Sequence, residues 1–222
     1  MVDRAIEILP RRPYSSVREE LRASQRGRLI CAVADAVASK GYAATTVADV
    51  VERAGVSRRT FYEQFTDKEA CFLAAYDVGL AVVLGRIAET AGATGAGGVG
   101  PPAGWRDRAR AGVEAFLALL AAEPAFARAL QVEILTAGPA ALERRAGMLA
   151  TFSGVWRGLH DAARSEDPAL PPLPDEVFPI LTAGVEELVR DCIRRRGPDA
   201  LPELAEPILR TVFAVFGAHP PA

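Results

Sequence analysis

The chain contains no asparagine, two lysines against 24 arginines, two histidines and three cysteines. Each scarcity excludes something. Cys31, Cys71 and Cys192 are odd in number, far apart and without CxxC spacing, so neither a disulfide framework nor a zinc site is expected. Neither His160 nor His219 has a local triad partner, and there is no Walker loop or HExxH motif. No catalytic residue, cofactor or metal ligand is therefore predicted. No apolar run approaches the roughly 18–20 residues that a membrane span needs. Asp3, Arg4, Glu7, Arg11 and Arg12 interrupt the N-terminus where a signal peptide would be apolar. The expectation is a cytoplasmic protein with no membrane partner. An excess of one charge sign is also missing: 26 basic and 28 acidic side chains leave a net charge of −2. That balance argues against a uniformly basic nucleic-acid binder.

What is present is helix-forming. Half of the 222 residues are hydrophobic, 24% are charged, and alanine alone supplies 42. This length and mixture suit one or two globular domains. The skew toward alanine and arginine reads as a coding bias, yet Ala, Leu, Arg and Glu with few β-branched residues still favour helix over sheet.

The punctuation divides the chain into about nine helices. A polar tail over residues 1–15 precedes a helical pattern from Val17 to Lys40, closed by Gly41. A short helix follows over Val47–Arg53, with Thr46 as N-cap and Asp49 in its first turn. Gly55 marks a tight turn, and Ser57 caps the next short helix, Arg58–Gln64. Thr66 and Glu69 are spaced as a capping box opening a long helix, Asp67–Thr90. Further helices are expected over Trp105–Ala122, Pro124–Ala137, Ala140–Ala163, Asp175–Arg196 and Pro202–Gly217. Pro179 and Pro207 require the last two to start late or kink. Between the fourth and fifth helices, Gly95-Ala96-Gly97-Gly98-Val99-Gly100 matches GxGxxG formally. A helix precedes it instead of a strand, and Pro101-Pro102 follows where phosphate-binding amides would be needed, so it reads as a linker. The fold class is all-α.

Two short helices joined by a glycine turn make a helix-turn-helix. Phe61, Phe65, Val47 and Val50 fall on its apolar side, leaving Arg58, Arg59, Thr60, Tyr62, Glu63 and Gln64 outside on the second helix. Guanidinium groups read guanine, and hydroxyls and amides contact phosphates or bases. Residues 24–76 resemble the DNA-binding region of the TetR family of transcriptional regulators. The likeness runs through Gly41-Tyr42, Thr45-Thr46-Val47, Ala54-Gly55-Val56-Ser57, Thr60-Phe61-Tyr62, Phe65 and Asp67-Lys68-Glu69.

That resemblance implies a helix-turn-helix domain over residues 16–66 and a ligand-binding and dimerisation domain over 67–222. It implies a homodimer on a palindromic operator, with DNA-binding residues Tyr42, Thr45, Thr46, Ser57, Arg58, Arg59, Thr60, Tyr62 and Lys68. Arg58, Arg59 and Thr60 would lie near bases or phosphates, and Tyr42, Thr45, Thr46, Tyr62 and Lys68 would anchor the backbone. Arg22, Arg26 and Arg28 read as a solvated face. A small-molecule effector would release the DNA, which makes the protein a repressor. The aromatic central helices suggest a lipophilic effector, with Trp105, Phe116, Phe126, Met148, Phe152 and Trp156 as candidate contacts and Glu133 or the pair Glu186-Glu187, Glu187 above all, as polar ones. The dimer interface is expected on the last two helices through Leu181, Gly184, Val185, Leu188, Val212 and Phe216, with burial inside one subunit as the alternative. The other function left open is a ligand-independent regulator or activator with the same head; an all-α enzyme has less support.

The charge balance then reads differently. Residues 1–66 hold 11 basic and 8 acidic side chains, whereas residues 67–222 hold 15 basic and 20 acidic. Near-neutrality is an average over a mildly basic head and an acidic body, and it excludes only indiscriminate DNA binding.

Overall fold

The computed structural model describes Glu19, residues 21–92 and residues 104–217. The 1–15 tail and the Gly95–Gly100 match lie outside them. Among the described residues there are nine α-helices and no strand. They are α1 (Gln25–Lys40), α2 (Val47–Ala54), α3 (Arg58–Gln64), α4 (Lys68–Gly92), α5 (Trp105–Ala122), α6 (Pro124–Gln131), α7 (Pro139–Glu166), α8 (Val177–Arg195) and α9 (Ala205–Val215). Two 3₁₀ segments, Glu133–Thr136 and Pro198–Leu204, complete the order.

Local chemistry sets most of these boundaries. The long first helix expected from Val17 is interrupted at Ser24, whose Oγ accepts from the Gly27 amide at 2.9 Å and starts α1 afresh. A Cβ on Gly27 would stand 1.8 Å from the Leu21 carbonyl oxygen, so only glycine admits that close approach. Around α2, Thr46 and Asp49 form the reciprocal pair of a capping box, and Gly55 leaves the helix in a left-handed conformation at φ 62°. Ser57 Oγ accepts from the Thr60 amide at 3.0 Å and caps α3. The box expected from Thr66 and Glu69 does not form. Asp67 takes the cap position instead, accepting from the Ala70 amide at 2.8 Å, so the helix starts at Lys68, and the Thr66 hydroxyl donates to Asp67 Oδ2. The helix expected over Pro124–Ala137 ends at Gln131 and tightens into the 3₁₀ segment. Pro179 and Pro207 each fall third in their helices, among the amides that have no intrahelical partner, so both helices start late and neither needs to kink.

The chain forms two compact units. One comprises residues 1–85 and 123–145, the other residues 86–122 and 146–222. Residues 67–85 and 123–145 thus group with the helix-turn-helix. In this first unit α1 is central, packing on α2, α3 and α6. Leu29, Val33, Val37, Val50, Phe61, Phe72 and Tyr76 are fully or almost fully buried there. A Cβ on Gly79 of α4 would meet Leu130 Cδ1 at 2.8 Å, a second close approach. The stretch Lys68–Thr90, with mean hydropathy 1.7, is the one described helix long and apolar enough to cross a bilayer. Its apolarity goes into the core through Cys71, Phe72, Ala75, Tyr76, Val82 and Val83.

In the second unit α5 packs against α9 and the 198–204 segment. The first α5 amide, that of Trp105, donates to Glu166 Oε2 at 2.8 Å, so a carboxylate from α7 caps α5. Burial raises the Glu166 pKa, and hydrogen bonds from Arg108 and the Trp105 amide outweigh it and hold the group below its ordinary value. His160 is buried, with Nε2 3.2 Å from the Pro171 carbonyl oxygen and its ring edge-on to Phe216, and burial lowers its pKa. All three cysteines are buried, and burial pushes the Cys71 thiol up to about 12.

Candidate nucleic-acid interface and ligand cavity

In the first unit, α3 turns Phe61 fully inward and leaves Arg58, Arg59, Tyr62 and Glu63 exposed. Tyr62 is 56% exposed, a large exposed ring that meets Phe61 edge-on at 5.3 Å. Arg59 Nε donates to Glu63 Oε1 at 3.0 Å, a solvent-screened i,i+4 pair that costs little to break. The Ser57 and Thr60 hydroxyls lie 3.0 Å apart at the exposed start of the helix. Two arginines, a hydroxyl pair and an aromatic therefore share one solvent-facing helix.

The turn between α1 and α2 carries the other expected anchors. Thr46 is exposed. Thr45 is 2% exposed and its hydroxyl donates to the Gly41 carbonyl at 2.8 Å, so the expected surface anchor is turned inward. Lys68 Nζ donates to the carbonyl oxygens of Tyr42 and Thr45, each at 2.8 Å, and lies 4.1 Å from the centre of the Tyr42 ring. Its ammonium serves the turn instead of standing free in solvent, and burial lowers its pKa. Burial first, then Glu69 and Asp67, raise the Tyr42 pKa, so the phenol keeps its proton and can donate. The Asp49 carboxyl lies well below the usual carboxylate range, chiefly through Lys40, which pairs with it at 2.5 Å.

Arg26 and Arg28, expected on a solvated face, are instead engaged with main-chain carbonyls. Arg26 Nη1 donates to the Gln64 carbonyl at 2.8 Å and its guanidinium covers the Phe65 ring at 4.2 Å. Arg28 Nε donates to the Ala54 carbonyl at 3.1 Å. These guanidinium groups close the C-terminal ends of α3 and α2, where carbonyls lack helical partners. Such long-range partners leave no local signature in the sequence.

The second unit contains a cavity of about 270 Å³. Phe116, Phe152 and Trp156, three of the expected contacts, line it, with the first two rings 5.9 Å apart. Val113, Arg108, Thr182 and Glu186 also line it; Glu186 is one of the pair expected there, and Arg108 and Thr182 are polar residues that sequence reasoning missed as contacts. Trp105 does not; it packs edge-on against Phe213 at 5.4 Å and against Phe216 at 5.9 Å. Phe126 and Glu133 belong to the first unit. Glu187 is exposed and paired with Arg190, whereas its neighbour Glu186 is 4% exposed and borders the cavity. One residue turns a helix by 100°, and sequence periodicity does not separate the two carboxylates. Among the described residues no cluster of His, Cys, Asp or Glu could hold a metal ion.

Outside the cavity, Leu181, Gly184, Val185 and Leu188 line an apolar groove with Val177, Ile180, Ile208, Thr211 and Val215. Ile180 is 69% exposed and Leu188 49%. Val212 and Phe216, expected in a dimer interface, are wholly buried within the single chain, because α9 turns them toward its own subunit's core. Val185 and Ile208 line both groove and cavity.

Residues 30–75 match the family model of bacterial regulatory proteins of the tetR family, over the same caps, turn and exposed helix described above. Over these residues, about a fifth of its length, the chain is similar to the DNA-binding region of the TetR family. The matched segment is the helix-turn-helix of α2 and α3 with its flanking helices. No curated protein sequence matches the chain. Several solved structures of bacterial regulators share the fold. The transcriptional regulator FadR from Bacillus subtilis, in complex with stearoyl-CoA, is 18% identical with a TM-score of 0.72, covering 86% of this chain and 98% of that one. The fatty acid degradation regulator FadR from Bacillus halodurans is 16% identical with a TM-score of 0.75, covering 88% and 97%. The TetR family regulator PfmR from Thermus thermophilus is 18% identical with a TM-score of 0.62, covering 89% and 98%. At these identities the likeness establishes the fold alone.

Proposed function

We propose that this protein is a TetR-family cytoplasmic repressor that binds a palindromic operator as a homodimer and is released by a lipophilic small molecule, with no catalytic step. The observation that carries the reading is the exposed face of α3, where Arg58, Arg59 and Tyr62 project beside the Ser57 and Thr60 hydroxyls. Arg58, Arg59 and Thr60 meet base edges or nearby phosphates, while Tyr42, Thr46 and Tyr62 hold the sugar-phosphate backbone. Lys68 and Thr45 act through the turn they brace.

The aromatic cavity supports an effector over the ligand-independent alternative, since a regulator without a ligand has no use for unfilled apolar space. The effector acts by binding the DNA-released state more tightly than the DNA-bound one. Stearoyl-CoA is the first probe, because the structurally similar B. subtilis FadR is in complex with it. The half-exposed apolar groove with Ile180 and Leu188 supports a second copy as its occupant, since a monomer would leave those side chains in water.

The test uses a duplex selected from random DNA by the wild-type protein, titrated in gel shifts at fixed salt. Arg59→Ala is expected to weaken binding by about 1–3 kcal/mol, the contribution of one base-reading arginine. Unchanged affinity on that duplex would remove α3 from the interface. Stearoyl-CoA that binds without changing DNA affinity would defeat the effector reading.

A further inference from the structure

We propose that Glu133 is a positioning residue for DNA binding, acting as a clamp on the turn that carries Tyr42 and Thr46. The inference rests on the reading of those two residues as backbone anchors. Glu133 lies in the 3₁₀ segment after α6 and is 8% exposed. A buried carboxylate is costly unless its charge is met by good donors. Two partners meet it here. Oε2 accepts from the Tyr42 amide at 2.9 Å, and Oε1 lies 3.5 Å from Arg128 Nη2. The first of these spans 91 positions in the sequence.

Tyr42 is thereby held at both ends of its main chain by ionised groups. Its N–H donates to Glu133, and its C=O accepts from Lys68, which also takes the Thr45 carbonyl. Hydrogen bonds with one charged partner are roughly twice as strong as neutral ones. The grip falls where helical bonding has stopped. Gly41 leaves α1 at φ 83°, and α2 begins only at Val47. A Cβ on Gly41 would stand 3.4 Å from Glu133 Oε2, so the carboxylate is seated directly against the turn. The helices on either side are already fixed by Val33, Val37 and Val50 in the core. What Glu133 adds is the direction in which the turn presents the Tyr42 phenol and the Thr46 side chain. An anchor aimed in advance does not lose ordering entropy when DNA arrives. The position of the 3₁₀ extension of α6 is felt at the anchor through this carboxylate, beside the packing of α6 on α1.

The experiment uses full-length protein and the selected duplex, with affinity measured across a salt series well below each variant's Tm. Glu133→Ala is expected to weaken binding roughly tenfold, the scale of one charge-assisted hydrogen bond. It should also flatten the salt dependence by about 0.9 in log–log slope for each phosphate that is no longer engaged. Glu133→Gln should recover most of the affinity, because the amide oxygen can accept from the Tyr42 N–H. In the Tyr42→Phe background Glu133→Ala should add much less than it does alone. Stearoyl-CoA affinity should stay at the wild-type value throughout. If Glu133→Ala does not fold, Glu133→Asp carries the same expectations, since it keeps the charge but draws it back by one methylene. Wild-type affinity and salt slope in a variant with a lowered Tm would overturn the proposal and leave Glu133 a stability residue. Full additivity with Tyr42→Phe would overturn it as well. Wild-type affinity in Tyr42→Phe alone would overturn the anchor reading, and this proposal with it.

Discussion

In the unit that carries the helix-turn-helix, several ionised side chains are bonded to main-chain atoms, beside side-chain pairs such as Lys40 with Asp49 and Arg59 with Glu63. Arg26 holds the Gln64 carbonyl, Arg28 the Ala54 carbonyl, Lys68 two carbonyls of the anchor turn and Glu133 its amide. In the other unit, ionised side chains mostly pair with each other at the surface: Arg108 with Glu166, Arg110 with Glu206, Arg157 with Asp175 and Arg196 with Glu203. Exposed pairs of that kind contribute little and tolerate rearrangement, and the interior they surround has a cavity. The contrast follows the two tasks. Reading a groove requires backbone fixed to a fraction of an ångström, so charge is directed onto peptide groups. Admitting a ligand requires spare apolar volume and partners that can shift.

The contrast is sharpest in core truncations. Phe61→Ala in the first unit should cost about 3–5 kcal/mol, because that ring is fully buried among tightly packed neighbours. Phe152→Ala, at the cavity wall, should cost roughly half as much or less, since its ring is only half-buried and already borders empty space. Denaturant unfolding of the two variants measures the difference, and equal costs would mean that the second unit is packed as tightly as the first. A smaller effect of opposite sign is expected at Gly158, a glycine inside α7 that lines the cavity. A Cβ there meets nothing within 4 Å. Gly158→Ala should stabilise the protein by about 0.5–1 kcal/mol through helix propensity. A fall in Tm would show that the space is filled in the working protein.

The smallest effect belongs to pH. Folding lowers the His160 pKa below its ordinary value near 6.5, so the unfolded chain takes up that proton first as pH falls. Stability linked to His160 is whole above about pH 6.5 and is lost as pH drops from there toward the folded-state value. Unfolding free energies of wild type and His160→Phe between pH 7.5 and 5 should diverge in slope, the variant being flatter. Parallel curves would show that the histidine is not protonated selectively on unfolding. None of the first unit's main-chain clamps depends on this group.

What could be read from the sequence follows the range of the interactions. Thr46, Gly55 and Ser57 act on amides and dihedrals within three residues of themselves, so the helix-turn-helix and its caps were legible, as were the bounds of α5 at Trp105 and Ala122. Thr66 loses the cap to the adjacent Asp67, an equally good capping residue one position on, which moves the helix start to Lys68. Glu133 reads as a ligand contact because a carboxylate between Val132 and Ile134 looks displaced. Its partner lies 91 residues away, where no local pattern points to it. Val212 and Phe216 show a different limit: an apolar stripe says that a face is covered, but not whether its own chain or a second copy covers it.

The buried thiols turn this comparison into something a clock can measure. Cys71 lies in one unit and Cys192 in the other, both shielded from solvent, and burial raises the pKa of both. A thiol in that condition reacts with an added disulfide reagent only when its surroundings open. The rates at which Cys71 and Cys192 are labelled therefore time the opening of the DNA-reading and cavity-bearing units separately. The wild-type chain carries a reporter in each, with no engineered label needed.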